Sequence, residues 1–150
     1  MSNQATLVKH GEGESLKVMG GRLRFLCESG QTGKAWSMME ASLPKDSGPP
    51  LHEHPWDEAY YVVAGEVRFL LGSESTVVGA GDFIYAPAGT LHGFHGLSEQ
   101  PARLLILDVP GHAEAFFREV EREVKESPGD LPKVPAIGER HQIRFARPGA

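Results

Sequence analysis

The sequence predicts an all-β domain of many short strands followed by a single helix, and three observations carry that prediction. Glycine and proline, 18 and 11 of the 150 residues, punctuate short apolar runs about every ten residues through the middle of the chain, the spacing of a sandwich or barrel. Several of these runs are rich in β-formers and meet at tight reversals, as residues 58–64 and 67–71 do across Gly65-Glu66. The pattern then changes once: Ala113, Phe116, Phe117, Val120 and Val124 recur at helical spacing with charged residues between them.

Taken in order, residues 1–15 are polar and glycine-rich and are expected to form a flexible arm. Residues 18–26 and 35–43 read as strands separated by a turn over 28–33. Residues 45–50, Lys-Asp-Ser-Gly-Pro-Pro, form a loop. Strands follow at 58–64, 67–71 and 76–78, then at 83–86 and 91–95 on either side of Pro87-Ala88-Gly89, and at 102–109, closed by Pro110-Gly111. The amphipathic helix after this β body is expected to pack against its outside and to end at Pro128-Gly129. The body and helix together span 16–126. The Pro-rich extension 127–150 contains a possible short strand at 142–145 and is either a loose tail or a segment folding back across the β body.

Composition excludes several function classes. Hydrophobic residues at 40% and charged residues at 23% describe an ordinary globular domain with enough chain to bury a core. A formal charge of −5, from 15 basic and 20 acidic residues, argues against a nucleic-acid partner. No apolar run approaches the ~20 residues that cross a bilayer, and nothing near Met1 resembles a signal peptide. The single cysteine, Cys27, excludes an intramolecular disulfide and fits a reducing compartment. The expected setting is the cytoplasm.

The chemistry is concentrated in two stretches. One supplies His52, His54 and Glu58, and the other supplies His92 after the Pro87-x-Gly89 bend. Residues two apart on a strand share a face, so His52 and His54 project together and Glu53 points away. Glu58 keeps their parity if the strand continues through Pro55-Trp56. Three imidazoles and one carboxylate suit a first-row divalent ion, whether Fe, Mn, Ni, Cu or Zn. A lone histidine is more often a surface or core residue, but an H-x-H pair with a glutamate and a third histidine reverses that expectation. His95 faces away from His92, toward a supporting or surface role, and His10, His112 and His141 are expected at the surface. Trp56, Tyr60, Phe69, Phe83, Tyr85 and Phe94 are candidate pocket walls, of which Trp56, Tyr60, Phe69 and Phe94 are preferred. Arg68 is expected to face solvent, leaving no cluster of cations for a phosphate.

These stretches resemble the two motifs of the cupin superfamily. His52-x-His54-x3-Glu58-x6-Gly65 matches the core of the first motif, with its leading glycine displaced to Gly48. Gly81-x5-Pro87-x-Gly89-x2-His92 matches the second without a gap, except that Gly96 stands where the family has asparagine. The resemblance implies a jelly-roll β-barrel with a C-terminal helix and one divalent ion held by His52, His54, Glu58 and His92. It also implies a homodimer. In flavonol-cleaving members the matching glutamate takes the substrate hydroxyl proton, a catalytic role that the resemblance extends to Glu58. Fold does not fix activity in this superfamily. The aromatic lining favours a dioxygenase for a small aromatic or enolisable substrate, similar to the quercetin dioxygenase branch. A non-redox isomerase or decarboxylase and a non-catalytic small-molecule binder are the alternatives.

Overall fold

Along β3 (Ser37–Leu43) and β10 (Ala102–Val109) buried and half-buried residues alternate, so each strand turns one face inward. The same alternation shapes a two-sheet barrel in the computed structural model, which describes residues 4–125 and 129–146. The remaining strands are β1 (Ser15–Val18), β2 (Gly21–Cys27), β4 (His52–Glu53), β5 (Asp57–Ala64), β6 (Glu66–Leu71), β7 (Glu74–Gly79), β8 (Phe83–Ala86), β9 (His92–Gly96) and β11 (Arg144–Phe145). One sheet has the order β1-β2-β3-β10-β5-β8 and the other β11-β4-β9-β6-β7, with every described strand pair antiparallel. The inner faces bury Phe25, Met39, Tyr60, Val62, Val67, Phe69, Leu104 and Ile106. This is the jelly-roll architecture expected from the sequence.

Four local readings are corrected. Residues 18–26 are not one strand. Met19 and Gly20 turn the chain with φ of 47° and 87°, and the hairpin β1–β2 begins at Ser15. The chain does not run as one strand from His52 to Glu58. It leaves the five-stranded sheet after Glu53 and enters the six-stranded sheet at Asp57, with Pro55 in the crossing. Residues 134–140, read as Pro-rich extension, form the helix α2 (Val134–Arg140). Pro135 lies in its first turn, where a missing N–H costs nothing. The helix α1 (Glu114–Glu123) does not simply pack outside: its Phe116 and Phe117 line the interior cavity. Pro128, expected to end that helix, lies outside the described residues.

Two features seat the site. Gly48, at φ 152°, passes so close to β9 that a Cβ would fall 2.0 Å from the Phe94 carbonyl oxygen, which pins the loop leading into His52. Beyond α2 the chain returns to the barrel, and β11 pairs with β4, Phe145 opposite His52 and Arg144 opposite Glu53.

Candidate metal centre

The four predicted donors converge. Single ligand atoms from His52, His54, Glu58 and His92 all lie within 4.8 Å of one another, and all four residues are buried. They come from both sheets: β4 and β9 bring His52 opposite His92, while β5 brings Glu58 from the facing sheet. The switch between sheets at Pro55 is what lets one short stretch supply ligands from two sides.

Each imidazole is oriented by its own backbone. His52 Nδ1 donates to the Pro50 carbonyl at 2.8 Å, His54 Nδ1 to the Trp56 carbonyl at 3.1 Å, and His92 Nδ1 to the Thr90 carbonyl at 2.7 Å. A carbonyl can only accept, so Nδ1 carries the proton in all three rings and Nε2 is left for a ligand. The Nε2 atoms of His54 and His92 lie 3.3 Å and 3.1 Å from Glu58 Oε1. Tyr60 donates its hydroxyl to the same oxygen. The buried His/His/Glu/His cluster, its ligand atoms gathered from three imidazoles and one carboxylate, is compatible with a divalent metal. The donor chemistry fits as well: convergent lone pairs beside a buried carboxylate suit a central cation.

Burial sets the protonation states. Desolvation, helped by the neighbouring His92, lowers His52 to about 4, so it stays neutral at ordinary pH. Burial alone would raise Glu58, but its contacts with Asp108, His54 and His92 outweigh burial and hold it well below the usual carboxylate range. Burial and the Glu58 charge push the Tyr60 phenol well above its usual value, which keeps it a donor. Asp108 is shifted the other way. It lies opposite both Glu58 and Ser37 across β5, β10 and β3, and burial followed by the Glu58 charge holds it well above the carboxylate range. Neither Asp108 oxygen has a hydrogen-bond partner among the described residues, nor do Ser37 Oγ and Trp56 Nε1.

The donors open into an apolar cavity. Trp56, Tyr60 and Phe94 line it, together with Met39, Ile106 and Phe116. Phe69 does not: it lies beside Phe94, its partner across β6 and β9, stacked on that ring at 5.2 Å and edge-on to Tyr60 at 4.9 Å. Phe83 and Tyr85 point outward from β8, where Ile84 and Ala86 are the buried positions. Arg68 reaches Ser75 Oγ on the sheet exterior. His10 and His112 are exposed, the latter with its ring 4.8 Å from Trp56, while His95 and His141 are half-buried. His141 pairs with Glu119 at 2.5 Å.

The sequence reading passed over Asp108, Ile143 and Phe145. Asp108 carried a signal, because it shares strand parity with Leu104 and Ile106 and so falls in phase with the core. Ile143 and Phe145 line the cavity only because the chain returns from α2.

The comparisons agree with this geometry. Residues 39–109 match the family model of the Cupin domain. The chain is 33% identical over 99 residues to the uncharacterized protein SCO3923 of Streptomyces coelicolor, a match covering 66% of this chain and 90% of that one. It is 25% identical over 113 residues to quercetin 2,3-dioxygenase of Bacillus subtilis, covering 75% of this chain but 33% of that enzyme, so the chain spans about a third of it. The polyketide cyclase RemF of Streptomyces resistomycificus shares the fold with a TM-score of 0.62 at 21% identity, over 71% of this chain and 80% of that one. The chain belongs to the cupin superfamily.

Proposed function

We propose that this chain is a metal-dependent dioxygenase acting on a small aromatic or enolisable substrate, working in the cytoplasm as a homodimer. The observation that carries the reading is the four-donor cluster, three members of which, His52, His54 and Glu58, line an apolar, aromatic-walled cavity. His52, His54, Glu58 and His92 would hold the ion, and a redox-active divalent ion there would fix a substrate oxygen and couple its oxidation to O2. The walls suit a planar apolar body. Arg22 is the single cation among the described cavity residues, and it is exposed, which disfavours a sugar phosphate. Glu58, held ionised, takes the substrate hydroxyl proton: the substrate O–H bond breaks and a carboxyl O–H bond forms. The Tyr60 hydroxyl on Oε1 holds the carboxylate in place. Similarity to a quercetin dioxygenase supports the reaction class. Exposed Tyr61, Phe83 and Tyr85 on adjacent strands support the dimer.

Oxygen uptake by metal-loaded protein with flavonols, acireductones and 1,3-diketones tests the reading. Uptake well above that of a Glu58→Ala variant is expected with at least one class. No difference across the panel would count decisively against it.

One observation favours a second reading. Asp108 lies opposite Glu58 across β10 and β5, where burial and the Glu58 charge shift it upward while Glu58 is held low, and two carboxyl groups pushed apart in this way form an acid–base pair. Such a pair suits a non-redox isomerase or decarboxylase. Turnover by the Zn(II) form under strict anaerobiosis would favour that chemistry, and its absence would remove it.

A further inference from the structure

The aromatic residues around the cavity differ in what they leave exposed. Trp56, Tyr60, Phe94 and Phe116 are all 5% exposed or less. Trp56 is stacked on His54 at 4.2 Å, and Tyr60 and Phe94 are packed against Phe69. Phe117 and Phe145 are the half-buried rings of the lining. Of these two, Phe145 sits beside the donors, with its ring 5.5 Å from that of His52.

We propose that the C-terminal segment from α2 to β11 is the specificity wall of the cavity, and that Phe145 is the surface on which a planar aromatic ligand stacks while its oxygen reaches the donor cluster. The inference rests on the proposed function for the shape of the ligand and not for the reaction.

Local structure places the ring. Gly138 gives the return from α2 its room: a Cβ there would stand 2.7 Å from the Ile143 carbonyl oxygen and 2.9 Å from the Phe145 ring. The Ile143 N–H donates to the Gly138 carbonyl at 2.8 Å, closing the turn. Beyond it, the Ala146 N–H donates to the Leu51 carbonyl at 2.9 Å, and Arg144 pairs with Glu53. The two residues of β4 thus pair twice with β11 and once, at His52, with β9. Glu119 of α1 anchors α2 through Arg140 and His141. The segment lies wholly beyond residues 39–109, the part matching the Cupin domain. Part of the wall beside the donors is therefore supplied by sequence outside that match, where selectivity can change without touching the ligand set.

The test uses metal-loaded full-length protein and two probes under anaerobic conditions, the flavonol quercetin and 1-anilinonaphthalene-8-sulfonate, each titrated to equilibrium. Phe145→Leu keeps an apolar side chain and removes the ring. It is expected to retain the wild-type metal content and to weaken both probes by roughly threefold to tenfold, the range aromatic stacking supports. Phe145→Trp should restore binding. Lys45→Ala, which removes an exposed pair with Glu99 away from the cavity lining, should bind as wild type does. The proposal is overturned if Phe145→Leu binds both probes as tightly as wild type. It is overturned too if that variant loses metal together with binding, or if wild type binds neither probe. Wild type that takes the sulfonate and not quercetin, with Phe145→Leu weakening the sulfonate, sinks the flavonol reading and leaves the wall standing.

Discussion

The two ends of the cavity are held by different kinds of contact. At the donor end three imidazoles are each fixed by a buried or part-buried hydrogen bond to a carbonyl two residues away, and Glu58 is fixed by Tyr60. At the closing end a two-residue strand, a close-packed glycine and exposed ion pairs hold Phe145. Exposed pairs contribute little, about 0–1 kcal/mol each, whereas buried polar groups tolerate no loss of partner. The lesson is a division of labour. Ligand geometry is built into the rigid barrel, and the ligand-facing wall is carried by a segment that can be altered at small cost.

The sharpest way to break this comparison is to strike each end in turn. Phe69→Ala removes a ring buried between Phe94 and Tyr60 and is expected to cost about 3–5 kcal/mol in denaturant unfolding. A loss under 1 kcal/mol would mean that the barrel does not rigidly back the donors.

Acid offers a second blow to the donor end. His52 sits at about 4 when folded against about 6.5 unfolded. The folded chain therefore binds fewer protons in between, and stability present above pH 6.5 is lost as pH falls toward 4. For metal-free protein His52 alone contributes a loss on the order of 3 kcal/mol, read in an Asp108→Asn background because the raised Asp108 changes stability in the opposite sense over the same window. Unfolding midpoints taken at pH 7 and pH 4 check it, and metal-loaded protein should resist the fall.

Two milder substitutions sharpen the contrast. Asp108→Asn replaces a carboxyl that burial and the Glu58 charge shift toward its neutral form, so it should change stability by less than about 1 kcal/mol. A much larger loss at pH 7 would mean that Asp108 is ionised in the folded protein. Arg144→Ala should cost less than about 0.5 kcal/mol, since its pair with Glu53 is exposed.

The same division explains what the sequence disclosed. The donor set was legible because strand periodicity and a Pro-x-Gly bend are local codes: His52 and His54 share a face whatever the rest of the chain does. That Glu58 joins them from the opposite sheet was not legible, because parity counting cannot show which sheet a strand enters after Pro55. The β1–β2 hairpin escaped because Met19-Gly20 interrupts an apolar run without a strong turn pair. The helix at 134–140 was opaque for a different reason. Pro135 and Gly138 read as helix breakers, and both are tolerated only by position and by long-range docking. Asp108 is the penultimate residue of β10, where an acid ordinarily meets solvent, and it is paired on either side by Ser37 of β3 and Glu58 of β5.

The central claim is that the four converging side chains form a metal site. Elemental analysis of untagged wild type beside a His52→Ala/His92→Ala double variant tests it most directly. The account predicts close to one Fe, Mn, Ni, Cu or Zn per wild-type chain and none in the variant. Wild type that is metal-free and cannot be loaded, or a variant that keeps its metal, would contradict it.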